Sequence, residues 1–256
     1  VFVDYTGQGH QTRAIEGKLG ERLNAGMDAS SGSELTSVTW EKSSVMIKTS
    51  KLTVIVGDDF AVDFYDCQGK PLSLAYKGGR KMGAQLSDAA RELLKMEGHE
   101  AKEGTVDYPV QELRMLEKED CIYGLGDKTG VLNKRNYEYE MWNSDIPDPH
   151  EDGFKSLYKS IPFFILLKEQ SCCGFFFDNH YKTFFELGKE CPDYCLFGAA
   201  EGNLDYYFIA GDSMKEVLGN YTTLTGRAPM QQLWTLGFHQ SRWGYESEEE
   251  IRGIAQ

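Results

Sequence analysis

Ser44 to Asp66 reads "SVMIKTSKLTVIVGDDFAVDFYD". Val45 and Ile47, then Leu52, Val54 and Val56, then Phe60, Val62 and Phe64 place an apolar side chain at every second residue, with "GDD" and "CQGK" (67–70) as turns. Successive strand side chains point to opposite faces, so this period predicts strands with one buried face. Short runs joined by tight turns double back on themselves, which is antiparallel hairpin grammar. The same period returns in Tyr137, Tyr139 and Met141 and in Leu204, Tyr206 and Phe208. "IPFFILL" (161–167) and "GFFF" (174–177) are denser and predict strands buried on both faces.

Helical signals interrupt this pattern. Ile15, Leu19 and Leu23 form a short stripe at four-residue spacing, and "LSDAARELLKMEG" (86–98) has Ser87 or Asp88 as a cap and Gly98 as a stop. "SMKEVLGNYTTLTG" (213–226) opens with Ser213 and Glu216 in capping-box spacing. After "GRAPMQQ" the grammar changes: "LWTLGF" (233–238) reads as an apolar strand, and Ser247 with Glu250 form another capping box before Ile251 and Ile254. Strand, loop and helix is the opening unit of an α/β layer. The expected domains are therefore 1–228, an antiparallel β-rich body with helical insertions, and 229–256, the beginning of something else.

A net charge of -13 and a pI near 4.9 disfavour phosphate backbones and anionic lipid surfaces, which recruit Lys and Arg. No nucleic-acid or membrane partner is expected, and the longest apolar run, Ile161 to Leu167, is far below the roughly 20 residues a bilayer span needs. The six cysteines show no CxxC spacing; Cys172 and Cys173 should face opposite ways, and Cys191 with Cys195 lacks the second ligand pair of a zinc site. Reduced thiols in a cytoplasmic protein without metal or cofactor are the expectation. The first residue is Val1 rather than Met, so the native start is expected upstream.

Three segments carry candidate chemistry. "YGLGDKTG" (123–130) has the glycines of a phosphate loop, but "VLNKRNYEYEMW" after it alternates as a strand, where a dinucleotide site needs a helix. It reads as a tight turn. "MWNSDIPDPH" (141–150) sets Asp145 and Asp148 among two prolines; they are either turn formers bonding the local backbone or, with Trp142, a carboxylate and a ring exposed to sugar hydroxyls. "HQSRWGY" (239–245) would follow the C-terminal end of a parallel strand, so either Arg242 makes an internal ion pair and Trp243 is a packing residue, or the two belong to a site. Asn220 to Thr222 is a glycosylation sequon by pattern, inside a predicted helix.

Five blocks, "YGLGDKTGVLNKRNYEYEMWNSDIPDPH", "LYKSIPFFILL", "GFFFDN", "NLDYYFIAG" and "WTLGFHQSRWGY", stand in an order and spacing that resemble the N-terminal part of glycoside hydrolase family 31, particularly its α-glucosidases. The resemblance implies an antiparallel β-sandwich followed by a (β/α)8 barrel, with "LWTLGF" as the first barrel strand. It also implies retaining hydrolysis of α-glucosidic bonds by two carboxylates, the nucleophile in a W-x-D-M-N-type motif on a later strand and the acid/base in a motif further on. Neither motif occurs here, so no catalytic residue is assigned and the pair is expected beyond Gln256, with the rest of the barrel as partner. By the same resemblance Asp145 contacts sugar, Tyr158 lines the aglycone side and Trp243 stands beside the leaving sugar. Exposed edges of an unpaired barrel strand would favour association with another copy. The competing expectations are a stand-alone carbohydrate-binding sandwich, or the front of a family 31 α-xylosidase, sulfoquinovosidase or transglucosidase.

Overall fold

A computed structural model describes residues 1–17, 21, 35–80, 109–241 and 244–256. Leu19, Leu23 and the helix expected at 86–98 lie outside the described residues. The chain divides into two units, Val1–Gly226 and Arg227–Gln256.

The first unit is mainly antiparallel β. One sheet runs in the order β1 (Phe2–Val3), β14 (Leu204–Gly211), β11 (Ser171–Phe177), β10 (Phe163–Lys168), β8 (Cys121–Gly124). A second has the order β7 (Val110–Met115), β13 (Tyr194–Ala199), β12 (Thr183–Glu186), β9 (Glu138–Met141). The third is a meander of β2 (Leu35–Trp40), β3 (Ser44–Thr49), β4 (Leu52–Gly57), β5 (Val62–Asp66) and β6 (Pro71–Ser73). The hairpins read from the two-residue period are present, with Val45 opposite Val56 and Ile47 opposite Val54. Phe60 is an exception. It lies between strands with φ 60° and is 84% exposed, so the apparent alternation ran through a left-handed turn.

All three sheets contribute to one core: Ile122, Phe164, Phe175 and Tyr206 from the first, Tyr139, Phe185 and Phe197 from the second, and Val62, Phe64 and Leu72 from the third. Phe64 stacks on Phe208 at 3.9 Å, and Phe175 packs against Phe164 and Phe197 at 5.3 and 5.8 Å. β11 explains why "SCCGFFF" is apolar throughout. Cys173, Phe175 and Phe177 enter this core, while Cys172 and Phe176 face a second cluster with Ile15 and Val217. Val217 belongs to α1 (Met214–Thr225), which starts as its capping box predicts: Ser213 Oγ accepts from Glu216 N at 3.2 Å and Glu216 accepts from Asp212 N at 2.9 Å. The helix approaches so closely that a Cβ on Gly174 would stand 2.8 Å from Val217 Cγ1. All six cysteines are free, and burial pushes the Cys172 and Cys195 thiols up to about 11 and about 12.

Arg114 joins the second and third sheets. Fully buried, it donates to Ser73 Oγ (3.1 Å), Ser73 O (2.7 Å), Val62 O (2.7 Å) and Glu112 Oε1 (2.8 Å), with its guanidinium over Phe64 and Phe175. Glu186 is buried at the end of β12, accepting from Gly188 N (3.1 Å) and Glu190 N (2.5 Å). Desolvation outweighs these bonds and raises its pKa from 4.5 to about 7. The folded state then holds a proton that the unfolded state has released. Stability from this group is therefore full below pH 4.5 and falls as pH rises toward 7, by about 3 kcal/mol. Urea denaturation at pH 4.5, 6 and 7.5 should show this decline, and Glu186→Gln should reduce it, leaving the part contributed by Asp205, which burial also raises to about 7.

In the second unit, α2 (Glu248–Ile254) has Ser247 as its N-cap, accepting from Glu250 N at 3.2 Å. The expected strand at 233–238 is not formed. Leu233–Leu236 is a 3-10 turn closed by Thr235 N to Gln232 O (3.0 Å) and Gly237 N to Trp234 O (3.2 Å). Among the described residues no strand pairs with this segment, so its backbone satisfies itself locally, and Trp234, Leu236 and Phe238 are exposed. Among the described residues no helix is long and apolar enough to cross a membrane.

Candidate functional site

β9 leaves the second sheet and β10 enters the first, and residues 142–162 between them form an irregular loop. Irregular does not mean loose. Glu140 N donates to Lys155 O (2.8 Å) and Ser144 N to Leu157 O (3.0 Å), so the loop's two arms pair backbone to backbone. Ser160 Oγ donates to Asn143 Oδ1 (2.7 Å), Ser156 Oγ donates to Trp142 O, and Leu157 anchors the returning arm, only 2% exposed. Pro147 and Pro149 fix φ on either side of Asp148.

On this frame Asp145 is exposed, and its carboxylate makes no hydrogen bond or ion pair among the described residues. An Asp serving as a turn former would bond the neighbouring backbone. Here the carboxylate is left to solvent or to a ligand. Tyr158, 43% exposed, donates its hydroxyl to the carbonyl of Ile146, the residue after Asp145. His150 Nε2 contacts the same carbonyl at 3.2 Å, and the His150 ring lies 5.7 Å from that of Tyr158 and 6.2 Å from that of Phe154. Asp145 and Tyr158 are thus presented by one loop, with Trp142 exposed at its start. His150 is the member that sequence reasoning missed, although it stands in the same "PDPH" run. Trp243 and Arg242 lie outside the described residues.

The loop's exit, Ser160 to Pro162, forms one wall of a cleft of about 480 Å³ whose other walls include Arg13, Asp178, His180 and Tyr221. Neither Asp145 nor Tyr158 lines it. Among the described residues no group of three or more His, Cys, Asp or Glu could hold a metal ion. The loop presents a charged acceptor, Asp145, together with the aromatic rings of Trp142 and Tyr158.

Comparison with known proteins agrees with this fold. Residues 21–186 match the glycosyl hydrolase 31 N-terminal galactose mutarotase-like domain. Alpha-glucosidase 2 of Bacillus thermoamyloliquefaciens is 42% identical over 69% of this chain and 22% of its own length, and an alpha-glucosidase of Saccharolobus solfataricus is 31% identical over 54% of this chain and 20% of its own. The structure of a dextranase of the same family from Flavobacterium johnsoniae, a D412A mutant complexed with isomaltotriose, superposes with a TM-score of 0.71 at 31% identity, covering 99% of this chain and 27% of that one. The chain thus spans about a fifth of the length of the curated relatives it matches. With a family domain matched over more than half its length, antiparallel sheets in place and α-glucosidases among its relatives, the chain belongs to glycoside hydrolase family 31 and carries that family's N-terminal galactose mutarotase-like domain.

Proposed function

We propose that the chain is the N-terminal part of a retaining, exo-acting α-glucosidase that removes terminal α-linked glucose from oligosaccharides. Its role is recognition. The 142–160 loop offers Asp145 to sugar hydroxyls and Tyr158 to the aglycone side, Trp243 stands beside the leaving sugar, and the catalytic carboxylates belong to the barrel. The observation carrying this reading is that Asp145, on a loop pinned by backbone pairing, spends its carboxylate on no internal bond. The proposed organisation is residues 1–228 as the sandwich and 229–256 as the first piece of the barrel, the apolar side chains of 233–238 finding partners in the other strands. A reducing, cytoplasmic setting fits six free thiols.

The dextranase similarity over 99% of the chain favours α-1,6-linked glucans as a second substrate class beside α-1,4-linked ones. Incubation with maltose, isomaltose and an aryl α-glucoside tests both parts of the proposal. The protein bearing this domain together with a barrel should release glucose with its α-configuration retained, and residues 1–256 alone should release none. Turnover by the 256-residue chain, or inversion by the longer protein, would contradict it.

A further inference from the structure

The "YGLGDKTG" turn plays no part in the reading above, yet its backbone is built for something. Three consecutive residues, Gly124, Leu125 and Gly126, have left-handed φ values of 125°, 70° and 78°. A side chain rarely tolerates this region. Leu125 does so while fully buried in the core, its N–H donating to Phe163 O at 2.9 Å, and a Cβ on Gly124 would stand 2.6 Å from that same carbonyl.

What the turn delivers is Lys128. Its buried Nζ donates to Glu140 O (3.1 Å) and Lys159 O (3.3 Å), one carbonyl on each stem of the loop that carries Asp145. A second buried ammonium supports the first: Lys134 Nζ donates to Lys128 O (3.3 Å) and Thr129 O (2.9 Å). Thr129 O also accepts from Tyr139 OH at 2.7 Å, and Thr129 Oγ1 reaches Asp152 O (3.3 Å) and Phe154 O (3.2 Å) in the middle of the loop. Both stems and the centre are therefore tied to one short segment. Burial lowers the pKa of each lysine, so keeping an amine here works against solvation and is offset by bonds to carbonyls.

We infer that Lys128 is a positioning residue, a clamp that closes the base of the 142–160 loop and so fixes where Asp145 is presented. The clamp stands on geometry alone; its consequence for sugar binding rests on the proposed function. Amide hydrogen exchange on the 256-residue chain tests it. Lys128→Met should accelerate exchange at Glu140 and Ser144 tenfold or more while the amides of β11, β13 and β14 keep their protection, and Lys128→Arg, which retains donors for both carbonyls, should recover most of the loss. Lys128→Gln, keeping one donor, serves if the methionine variant does not fold, with an intermediate loss expected. Unchanged loop exchange in these variants, or acceleration spread evenly over all three sheets, would overturn the clamp. In the protein with its barrel, Lys128→Met should raise KM for isomaltose about fivefold or more with a smaller fall in kcat. If the loop loosens in Lys128→Met but Asp145→Ala has normal kinetics, the clamp holds and the sugar reading fails.

Discussion

Arg114→Met should lower the stability of the domain by about 3–5 kcal/mol, the cost of breaking a buried charged network from one side. Methionine preserves much of the stem packing between Phe64 and Phe175 but leaves Val62 O, Ser73 O and the Glu112 carboxylate without their shared donor. Val62 O and Ser73 O are buried with Arg114 and have no water to turn to, and only the Glu112 carboxylate, 16% exposed, reaches solvent. Arg114→Lys should recover less than half of the loss, because one ammonium cannot reproduce the planar fork that reaches all four acceptors. Urea denaturation followed by far-UV circular dichroism measures both variants. A loss under 1 kcal/mol for the methionine variant would mean that the sheets are joined by their apolar contacts and that Arg114 is dispensable.

Asp145→Ala carries the largest expected effect on activity. In the protein with its barrel it should reduce kcat/KM for maltose and isomaltose by about 2–4 kcal/mol of transition-state binding, equivalent to roughly 30- to 1000-fold. The melting temperature should barely change, since the carboxylate supports no bond within the described residues. The two readouts separate recognition from structure. Normal kinetics with a lowered melting point would return Asp145 to the role of a turn residue.

Much of the sandwich could be read from local pattern because its strands alternate or run fully apolar for reasons that act within a few residues. β11 is an example: seven consecutive buried or half-buried positions require cover on both faces, and α1 supplies the second cover. Phe60 was misread because a left-handed turn between two alternating runs leaves the spacing intact and hides the break. "LWTLGF" forms a 3-10 turn over Leu233–Leu236 rather than the expected strand for a different reason. An apolar run becomes a strand only when another backbone pairs with it, and that pairing is a long-range fact that local composition does not carry. Arg114 is illegible for the same reason: its acceptors Ser73 and Val62 lie 41 and 52 residues upstream. At the candidate site, residue types singled out the 142–160 loop, but only coordinates separate an Asp that bonds its own turn from one left unbonded. The same holds for Lys128, which looks like a surface lysine until its two carbonyl partners, 12 and 31 residues away, are known.

The central claim is that this domain supplies a sugar-contacting loop to a family 31 enzyme. Hydrogen exchange on the protein with its barrel, compared with and without saturating isomaltotriose at low temperature, tests it most directly. The account predicts slowed exchange in 142–160, centred on Ser144 to Ile146, while β11, β13 and β14 are unchanged. Sugar-dependent protection confined to other segments, such as the cleft residues Asp178 to His180, with 142–160 unaffected, would contradict it.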